Sequence, residues 1–382
     1  IYNRDFDTDA DEGGEEDTPH PCKSHYQQVF KQEIDLYSGE TARASILQVV
    51  QAVVQTLYTL DFCRVTVLPI SDLFELQYVL KNNPFNLVVN LCESLNRDST
   101  SEIEVVKVLE KAQVPFTGNS AKTMAICLDK FHCSTLLKKH KIGVPETWII
   151  RGKNCLKRLI KEVQDKNLYP TTKLLRPLIV KPNQEDGSTG IDFKAVVHDT
   201  VALQRQVLTL SKHCNHSVLV QEYIDGREFS VALLGRGNRR GHFKGISEID
   251  FSKLDPSYPK ILNYSSKWDS SSPEYHAAVG RKADISPKLR RSIINAAQKT
   301  QEVLELDGYG RIDLRLDDKD QIFIIDVNPN CDLDPFAGMA RTAVAYGLNY
   351  QLLLGRILDE AFISFEERTC MMRSEMRSEK II

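Results

Sequence analysis

The sequence contains no run of about 18 apolar residues, the length that a membrane-spanning helix requires, so a spanning helix is excluded. Neither charge dominates. The 49 Lys and Arg stand against 52 Asp and Glu, a formal net charge of −3, which leaves no electrostatic footprint for nucleic acid or a membrane surface. No two of the nine cysteines are separated by two residues. The scattered set (Cys22, Cys63, Cys92, Cys127, Cys133, Cys155, Cys214, Cys331, Cys370) fits reduced thiols in a cytosolic protein better than a disulfide framework or a zinc ribbon. There is no internal repeat and no GxxxxGK[ST] phosphate loop. No secretory signal is recognisable, although a start at Ile1 rather than methionine leaves a removed leader open. The triplets Asn215-His216-Ser217 and Asn263-Tyr264-Ser265 therefore read as chance occurrences rather than glycosylation sites.

What is present is ordinary in bulk. With 382 residues, 42% hydrophobic and 26% charged, the chain suits a soluble globular protein of two or three domains. Ile1–Asn3 reads as the end of a strand, and the acidic stretch Asp5–Asp17, with Gly13-Gly14 inside it, as a mobile loop. Ile46, Val49, Val50, Val53, Val54, Leu57 and Leu60 recur at helical spacing. Strand-like runs at Arg64–Ile70 and Phe85–Leu91, with a helix at Ser101–Ala112 capped by Ser99 or Thr100, predict a parallel sheet covered by helices. A long helix is expected over Ala121–His140, then a strand Thr147–Ile150, a helix Cys155–Asp165, a strand Leu178–Pro182, a polar loop Asn183–Gly190, a strand Phe193–Val197 and a helix Thr200–Lys212. Strands follow at Ser217–Glu222, Arg227–Gly235 and Lys244–Ile249. Ser252–Gly280, rich in Ser, Pro and Tyr, reads as a long loop of the kind used as a lid or binding loop. A helix Pro287–Leu306, strands Gly310–Leu316 and Gln321–Asn328, two short helices and a frayed tail from Thr369 complete the chain.

Three elements can carry chemistry. In the run from Leu178 to Gly190, a buried strand delivers Lys181 into a loop holding Gly187, Ser188, Thr189 and Gly190. Backbone N–H groups at such glycines can cradle phosphate oxygens while the lysine supplies a point charge, though the same run also reads as a plain hairpin turn. In the second element, Arg311 and Asp313 share one strand face. Asp326 and Asn328 share another, with Ile322 and Ile324 interrupting the alternation. Two carboxylates and an amide form the hard oxygen set that Mg²⁺ prefers when phosphates complete its shell, and a structural Arg311–Asp326 ion pair is the alternative. The third is Val218–Val231, where an apolar strand turns at Asp225-Gly226. It can read an adenine through its backbone and a ribose through Glu228, or be a hairpin with a Glu at its turn. His213-Cys214-Asn215-His216 has too few donors for a metal. Cys331, close to the candidate metal strand, is expected as a packed thiol.

These elements, in this order, resemble the ATP-grasp superfamily and within it the D-alanine–D-alanine ligase branch. The resemblance also takes in Val114-Pro-Phe-Thr-Gly118-Asn-Ser, Leu128-Asp-Lys130, Ile142-Gly-Val-Pro-Glu-Thr-Trp148, Gly310-Arg-Ile-Asp313 and Asp326-Val-Asn328-Pro. It implies an α/β fold with an N-terminal parallel-sheet domain (1–120), two α+β lobes gripping ATP (121–225 and 226–368) and a tail (369–382). It further implies that Lys130 and Lys181 hold the α- and β-phosphates, and that the loop at Gly187 and Ser188 closes over the γ-phosphate. Gln221, Glu222, Tyr223 and Ile224 would line the adenine pocket, and Glu228 would take the ribose. Asp313, Asp326 and Asn328 would bind two Mg²⁺ ions, or Mn²⁺ in their place. Arg311 would stabilise the acyl-phosphate, and Lys267 would reach the γ-phosphate. The implied reaction joins a small carboxylate to an amino acid in the cytoplasm, with no nucleic-acid or membrane partner; a homodimer is compatible with it. Ligation of an amino acid to a non-peptidic acid, or ATP binding without turnover in a regulatory protein, are the alternatives.

The departures from the branch bear on substrate. Gly187-Ser188 replaces a paired serine, Lys267-Trp268 replaces Lys-Tyr, Asp326 replaces the usual Glu, and Pro329-Asn-Cys-Asp332-Leu-Asp334-Pro335 replaces a small Ser- and Gly-containing run. The counterpart of an N-terminal substrate-binding glutamate is loose, at Glu40. Carboxylates at 332 and 334 are expected to repel a free α-carboxylate and to disfavour D-alanine as substrate.

Overall fold

The structure, a computed structural model, describes residues 1–3, 41–60, 64–95, 98–165, 172–213, 217–236, 242–269 and 271–379. The expected acidic loop 5–17, Glu40 and the 214–216 part of the His-Cys-Asn-His run lie outside the described residues. The chain divides into two compact units, Ile1–Thr117 with Asp332–Ile382, and Gly118–Cys331.

In the first unit, strand β1 (Tyr2–Asn3) pairs in parallel with β2 (Pro69–Ile70). Hydrogen bonds from Leu91 N–H to the Ile1 carbonyl and from Val88 N–H to the Pro115 carbonyl extend that arrangement, with a parallel bridge Val88–Phe116. The parallel sense is as expected, but the sheet is smaller. Arg64–Leu68 is partly exposed and joins no strand ladder among the described residues, and Phe85–Leu91 contracts to the bridge at Val88. The helix Thr41–Thr59 buries Val49, Val50, Val53, Val54 and Leu57 of the stripe read from sequence, with Leu47 buried where Ile46 was expected. An unanticipated helix, Leu73–Asn82, starts where the Asp72 carboxylate accepts from Glu75 N–H. Ser101–Ala112 forms as expected; Thr100 occupies the cap position, but its side chain makes no cap hydrogen bond. The closing helices are Gly338–Ala345 and Tyr350–Glu379, so the second is long and runs through Thr369 instead of fraying there.

The second unit contains two antiparallel sheets. The smaller has the order β3 (Thr147–Ile150), β6 (Val218–Glu222), β4 (Lys173–Pro182), β5 (Val196–Asp199). The larger has the order β11 (Ile322–Asn328), β10 (Tyr309–Leu316), β7 (Glu228–Leu234), β8 (Phe243–Asp250), β9 (Val279–Lys282). Each has its own apolar core. Ile150, Val180, Val218 and Val220 pack with Leu203 and Val207 of the helix Thr200–His213. Phe229, Val231, Leu233, Ile312, Leu314 and Leu316 pack with Ile293 and Ala297 of the helix Pro287–Leu304.

Three local readings are corrected in this unit. The single helix expected over Ala121–His140 is two, Ala121–Leu128 and Lys130–Lys139, because Asp129 leaves helical geometry (φ −79°, ψ 89°) and its carboxylate caps the second at His132 N–H. The expected strand Phe193–Val197 begins as a 3-10 turn, Phe193–Ala195, in which the Asp192 carboxylate accepts from Lys194 N–H; β5 follows it. The long loop Ser252–Gly280 carries two short helices, Tyr264–Trp268 and Pro273–Ala277, each started by a polar cap, Asn263 or Ser272. No helix among the described residues is long and apolar enough to cross a membrane.

Candidate active site

Alternation along β10 sends Ile312, Leu314 and Leu316 into the core and Arg311, Asp313 and Arg315 to the opposite face. Pairing sets Arg311 opposite Asn328, Asp313 opposite Asp326, and Arg315 opposite Glu228. The interrupted alternation in β11 has a structural cause. Asp313 pairs with Asp326 but Leu314 pairs with Ile324, so Ile325 is an extra residue in a bulge. The bulge reverses the phase: Ile324 and Val327 enter the core, while Asp326 and Asn328 join Asp313 on the polar face. The Ile325 carbonyl accepts from Lys181 Nζ at 3.3 Å.

The cations around this face differ in their surroundings. Lys130, buried at the start of its helix, lies 3.2 Å from Asp186 Oδ1 and 3.3 Å from Asp326 Oδ1. Burial opposes its charge, but the two carboxylates outweigh burial and raise its pKa. Its helix start is fixed by Asn183, whose side-chain oxygen accepts from Phe131 N–H at 2.9 Å and whose carbonyl accepts from Lys130 N–H at 3.2 Å. Lys181, buried with only a backbone carbonyl to bond, has its pKa pulled down to about 8, mainly by burial. Lys267 is half-buried and is likewise lowered, by burial first and by Arg311 second. Arg311 bonds both oxygens of Asp313, at 2.8 Å each, and its pKa rises chiefly through that carboxylate. Asp326 is raised by burial, yet Lys130, Lys181 and Arg311 together bring it below the ordinary carboxylate range. Arg311 therefore pairs with Asp313 rather than with Asp326.

The glycine loop bends through left-handed backbone at Gly187 (φ 65°) and Ser188 (φ 63°). Ser188 Oγ donates to the Leu262 carbonyl at 2.8 Å, and Trp268 Nε1 donates to the Gly187 carbonyl at 2.8 Å. The loop and the 252–280 segment are thereby tied together, and Trp268 neighbours Lys267.

The residues expected around adenine are arranged less openly. Gln221 is buried and donates to Thr147 Oγ1 at 3.1 Å across the smaller sheet, and Glu222 pairs with Arg176. Tyr223 N–H donates to the Pro177 carbonyl at 2.9 Å. Beyond Ile224 the chain turns at Gly226, where a Cβ would come within 1.7 Å of the Leu316 carbonyl, so only glycine fits. Glu228 is buried, which raises its pKa, with Arg315 acting against that rise.

Lys130, Lys181, Lys267, Glu228, Arg311, Asp313 and Asp326 thus act on one another electrostatically in one region. The side chains of Gln221 and Glu222 are instead engaged within and beside the smaller sheet. Sequence reading gave no role to Asp186, Asn183 or Arg315. Arg315 was legible in the same alternation that exposed Arg311 and Asp313.

Asp326 Oδ1 suits a hard cation. It is buried and makes an ion pair rather than a hydrogen bond. Asp313 adds a second carboxylate, and Asn328 an amide oxygen that already accepts from Asn330 N–H at 2.9 Å. Among the described residues no group of three His, Cys, Asp or Glu side chains could hold a metal unaided. Such a set fits Mg²⁺ whose shell is completed by phosphate and water.

Residues 136–359 match the family model described as D-ala D-ala ligase C-terminus. The chain is 29% identical over 279 residues to the uncharacterized protein y4sG of Sinorhizobium fredii (strain NBRC 101917 / NGR234), covering 72% of this chain and 74% of that one. It is 25% identical over 270 residues to the D-alanine–D-alanine ligase of Bordetella avium (strain 197N), covering 71% and 75%. The fold matches that of the D-alanine–D-alanine ligase from Bacillus anthracis complexed with ATP, with a TM-score of 0.63, 17% identity and coverage of 85% and 94%. It also matches that of the VanG D-Ala:D-Ser ligase from Enterococcus faecalis, with a TM-score of 0.56, 20% identity and coverage of 72% and 73%.

Proposed function

Since this chain belongs to the D-Ala–D-Ala ligase C-terminal family of ATP-grasp carbon–nitrogen ligases, we propose that it joins a carboxylate to an amine through an acyl-phosphate at the expense of ATP. The observation that carries this reading is the convergence of three lysines and Arg311 on the carboxylates of Asp313 and Asp326. Phosphoryl transfer needs preplaced positive charge around the moving group, and little else from the protein.

Lys181, buried without a carboxylate in contact, is suited to take a phosphate oxygen as its partner. Lys130 is held ready by Asp186 and Asp326, and Lys267 would reach the γ-phosphate. Asp313, Asp326 and Asn328 would hold Mg²⁺, which when bound supplies further charge neutralisation at the phosphates. The substrate carboxylate oxygen attacks the γ-phosphorus and ADP leaves. The amine nitrogen then attacks the acyl carbon, phosphate departs with the carbon–oxygen electron pair, the nitrogen gives up a proton to the departing phosphate, and an amide remains. Arg311 would stabilise the oxyanion of that second step. Gly187 and Ser188, tied to the 252–280 segment, would keep water from the acyl-phosphate. Tyr223, Ile224 and Glu228 would face the nucleoside, with Gln221 and Glu222 holding the strand behind them.

The finer part of the proposal is that D-alanine is a poor substrate. Ligases of this fold differ in their second amino acid, as D-Ala:D-Ser ligase shows by its name. This chain departs from the branch at Gly187, Trp268, Asp332 and Asp334. The test is MgATP-dependent phosphate release with D-alanine alone against a panel of L-amino acids and small acids, with products read by mass. A new amide from a pair other than D-alanine supports the proposal; efficient D-Ala–D-Ala with no better pair overturns its finer part. Absence of release with every pair, by a chain that binds ATP, favours the regulatory alternative.

A further inference from the structure

Arg315 is the most deeply buried charged side chain on the polar face of β10, with 3% of its surface exposed. A guanidinium carries five N–H donors in a fixed plane, so burying it demands several acceptors at set directions. Here one terminal nitrogen donates to the Ile224 carbonyl at 2.7 Å, and the other donates to the Lys260 carbonyl. Nε lies 3.2 Å from Glu228 Oε2 in an ion pair, and the guanidinium carbon sits 4.9 Å from the centre of the Tyr223 ring. One side chain therefore ties together three stretches: the segment after β6, the first residue of β7 and the 252–280 segment.

The stretch it fastens needs fastening. Between Ile224 and Glu228 the chain lies outside the strands, meeting β10 at Arg227, whose carbonyl accepts from Leu316 N–H at 3.0 Å, and at Gly226 it passes so close to Leu316 that a methyl group could not enter. Tyr223 is held at its N–H by Pro177, and its hydroxyl donates to the Lys260 carbonyl at 3.4 Å, the same carbonyl that Arg315 reaches. Glu228 is buried and has Arg315 as its ion-pair partner. A carboxylate so held keeps one orientation; released, it could rotate among several.

We propose that Arg315 is a positioning residue of the nucleotide subsite: through Glu228 and the Ile224 carbonyl it fixes the groups that meet the nucleoside, and discrimination for the ribose hydroxyls depends on it. This rests on the ATP-dependent reading given above. A lysine cannot replace it, because one ammonium cannot donate to both the Ile224 and Lys260 carbonyls while keeping its charge beside the Glu228 carboxylate.

The test uses the full chain, with ATP and 2′-deoxy-ATP titrated calorimetrically in the presence of Mg²⁺. Wild type is expected to prefer ATP. Arg315→Met and Arg315→Lys should each weaken ATP binding about tenfold while leaving 2′-deoxy-ATP nearly unchanged, so that the preference collapses toward one. Glu228→Gln combined with Arg315→Lys should be no worse in that ratio than either single change, since both act on one contact. Arg315→Lys keeps charge and stem, so it serves if Arg315→Met fails to fold by thermal melt. An unchanged ATP-to-deoxy-ATP ratio in a folded variant, or an equal weakening of both nucleotides, overturns the proposal alone. A wild-type chain that binds neither nucleotide overturns the ATP reading and this proposal with it.

Discussion

The two sheets of the second unit treat their inward-facing charge in opposite ways, the Arg176–Glu222 pair of the smaller sheet lying at its exposed side. On the larger sheet, cations and anions arrive in pairs on neighbouring positions: Arg311 with Asp313, and Arg315 with Glu228. The smaller sheet sends in Lys181 at the end of an apolar strand, and its ammonium donates only to the Ile325 carbonyl of the larger sheet. A buried cation paired with a carboxylate keeps its charge, whereas one that meets only a dipole is destabilised by desolvation. The difference assigns the two sheets separate tasks. One presents charges already paired with each other, and the other, on the proposed function, offers a cation to an incoming anion.

Removing a carboxylate from the paired side is expected to have the largest effect. Asp313→Asn or Asp326→Asn should lower turnover by at least about a hundredfold, because metal and phosphate charge lose a ligand. Circular dichroism should show the fold retained. Near-normal turnover in the folded double variant would remove these residues from the chemistry. Gly226→Ala should act through stability instead, costing about 3 kcal/mol in denaturant unfolding, since its Cβ would meet the Leu316 carbonyl at 1.7 Å. A stability within about 0.5 kcal/mol of wild type would mean that the turn relaxes freely.

How much of this was legible in sequence depends on the range over which each signal acts. The apolar stripe of Thr41–Thr59 and the limits of Thr147–Ile150 follow from local periodicity, and both formed where expected. The break at Asp129 was missed because apolar spacing continues across it; only the capping chemistry of an aspartate shows the helix restarting. In β11 the alternation looked faulty because a bulge cannot be seen from one strand; it exists only in the pairing with β10. The charged residues of the site were readable as polar positions on strands. Their partners were not: the Asp186–Lys130 and Arg315–Lys260 contacts join residues far apart in the chain, and nothing local predicts them.

The unpaired lysine makes a pH prediction. Its folded pKa of about 8 lies below the 10.5 of an unburied lysine. Between those values the unfolded chain binds more protons, so this group's contribution to stability rises with pH from about 8 to 10.5. ATP prefers the charged form, so affinity should fall above pH 8 by up to about tenfold per unit. Calorimetric titrations at pH 7, 8 and 9 check this, and Lys181→Met should flatten the profile. A wild-type profile that is already flat would place Lys181 away from the phosphates. The smallest effect is expected at Trp268→Phe, which removes the indole N–H bond to Gly187, worth about 1 kcal/mol. Amide exchange should quicken in 183–190 without ATP and recover when ATP analogue is added; equal protection in both variants would show that the tie is incidental.

The acyl-phosphate itself is open to the most direct measurement. Once a productive carboxylate is found, it is labelled with ¹⁸O in both carboxyl oxygens, turned over with MgATP and amine, and the phosphate is analysed by mass. One labelled oxygen in inorganic phosphate, with ADP as the nucleotide product, is the predicted result. Label in AMP instead, or phosphate without label, would contradict it.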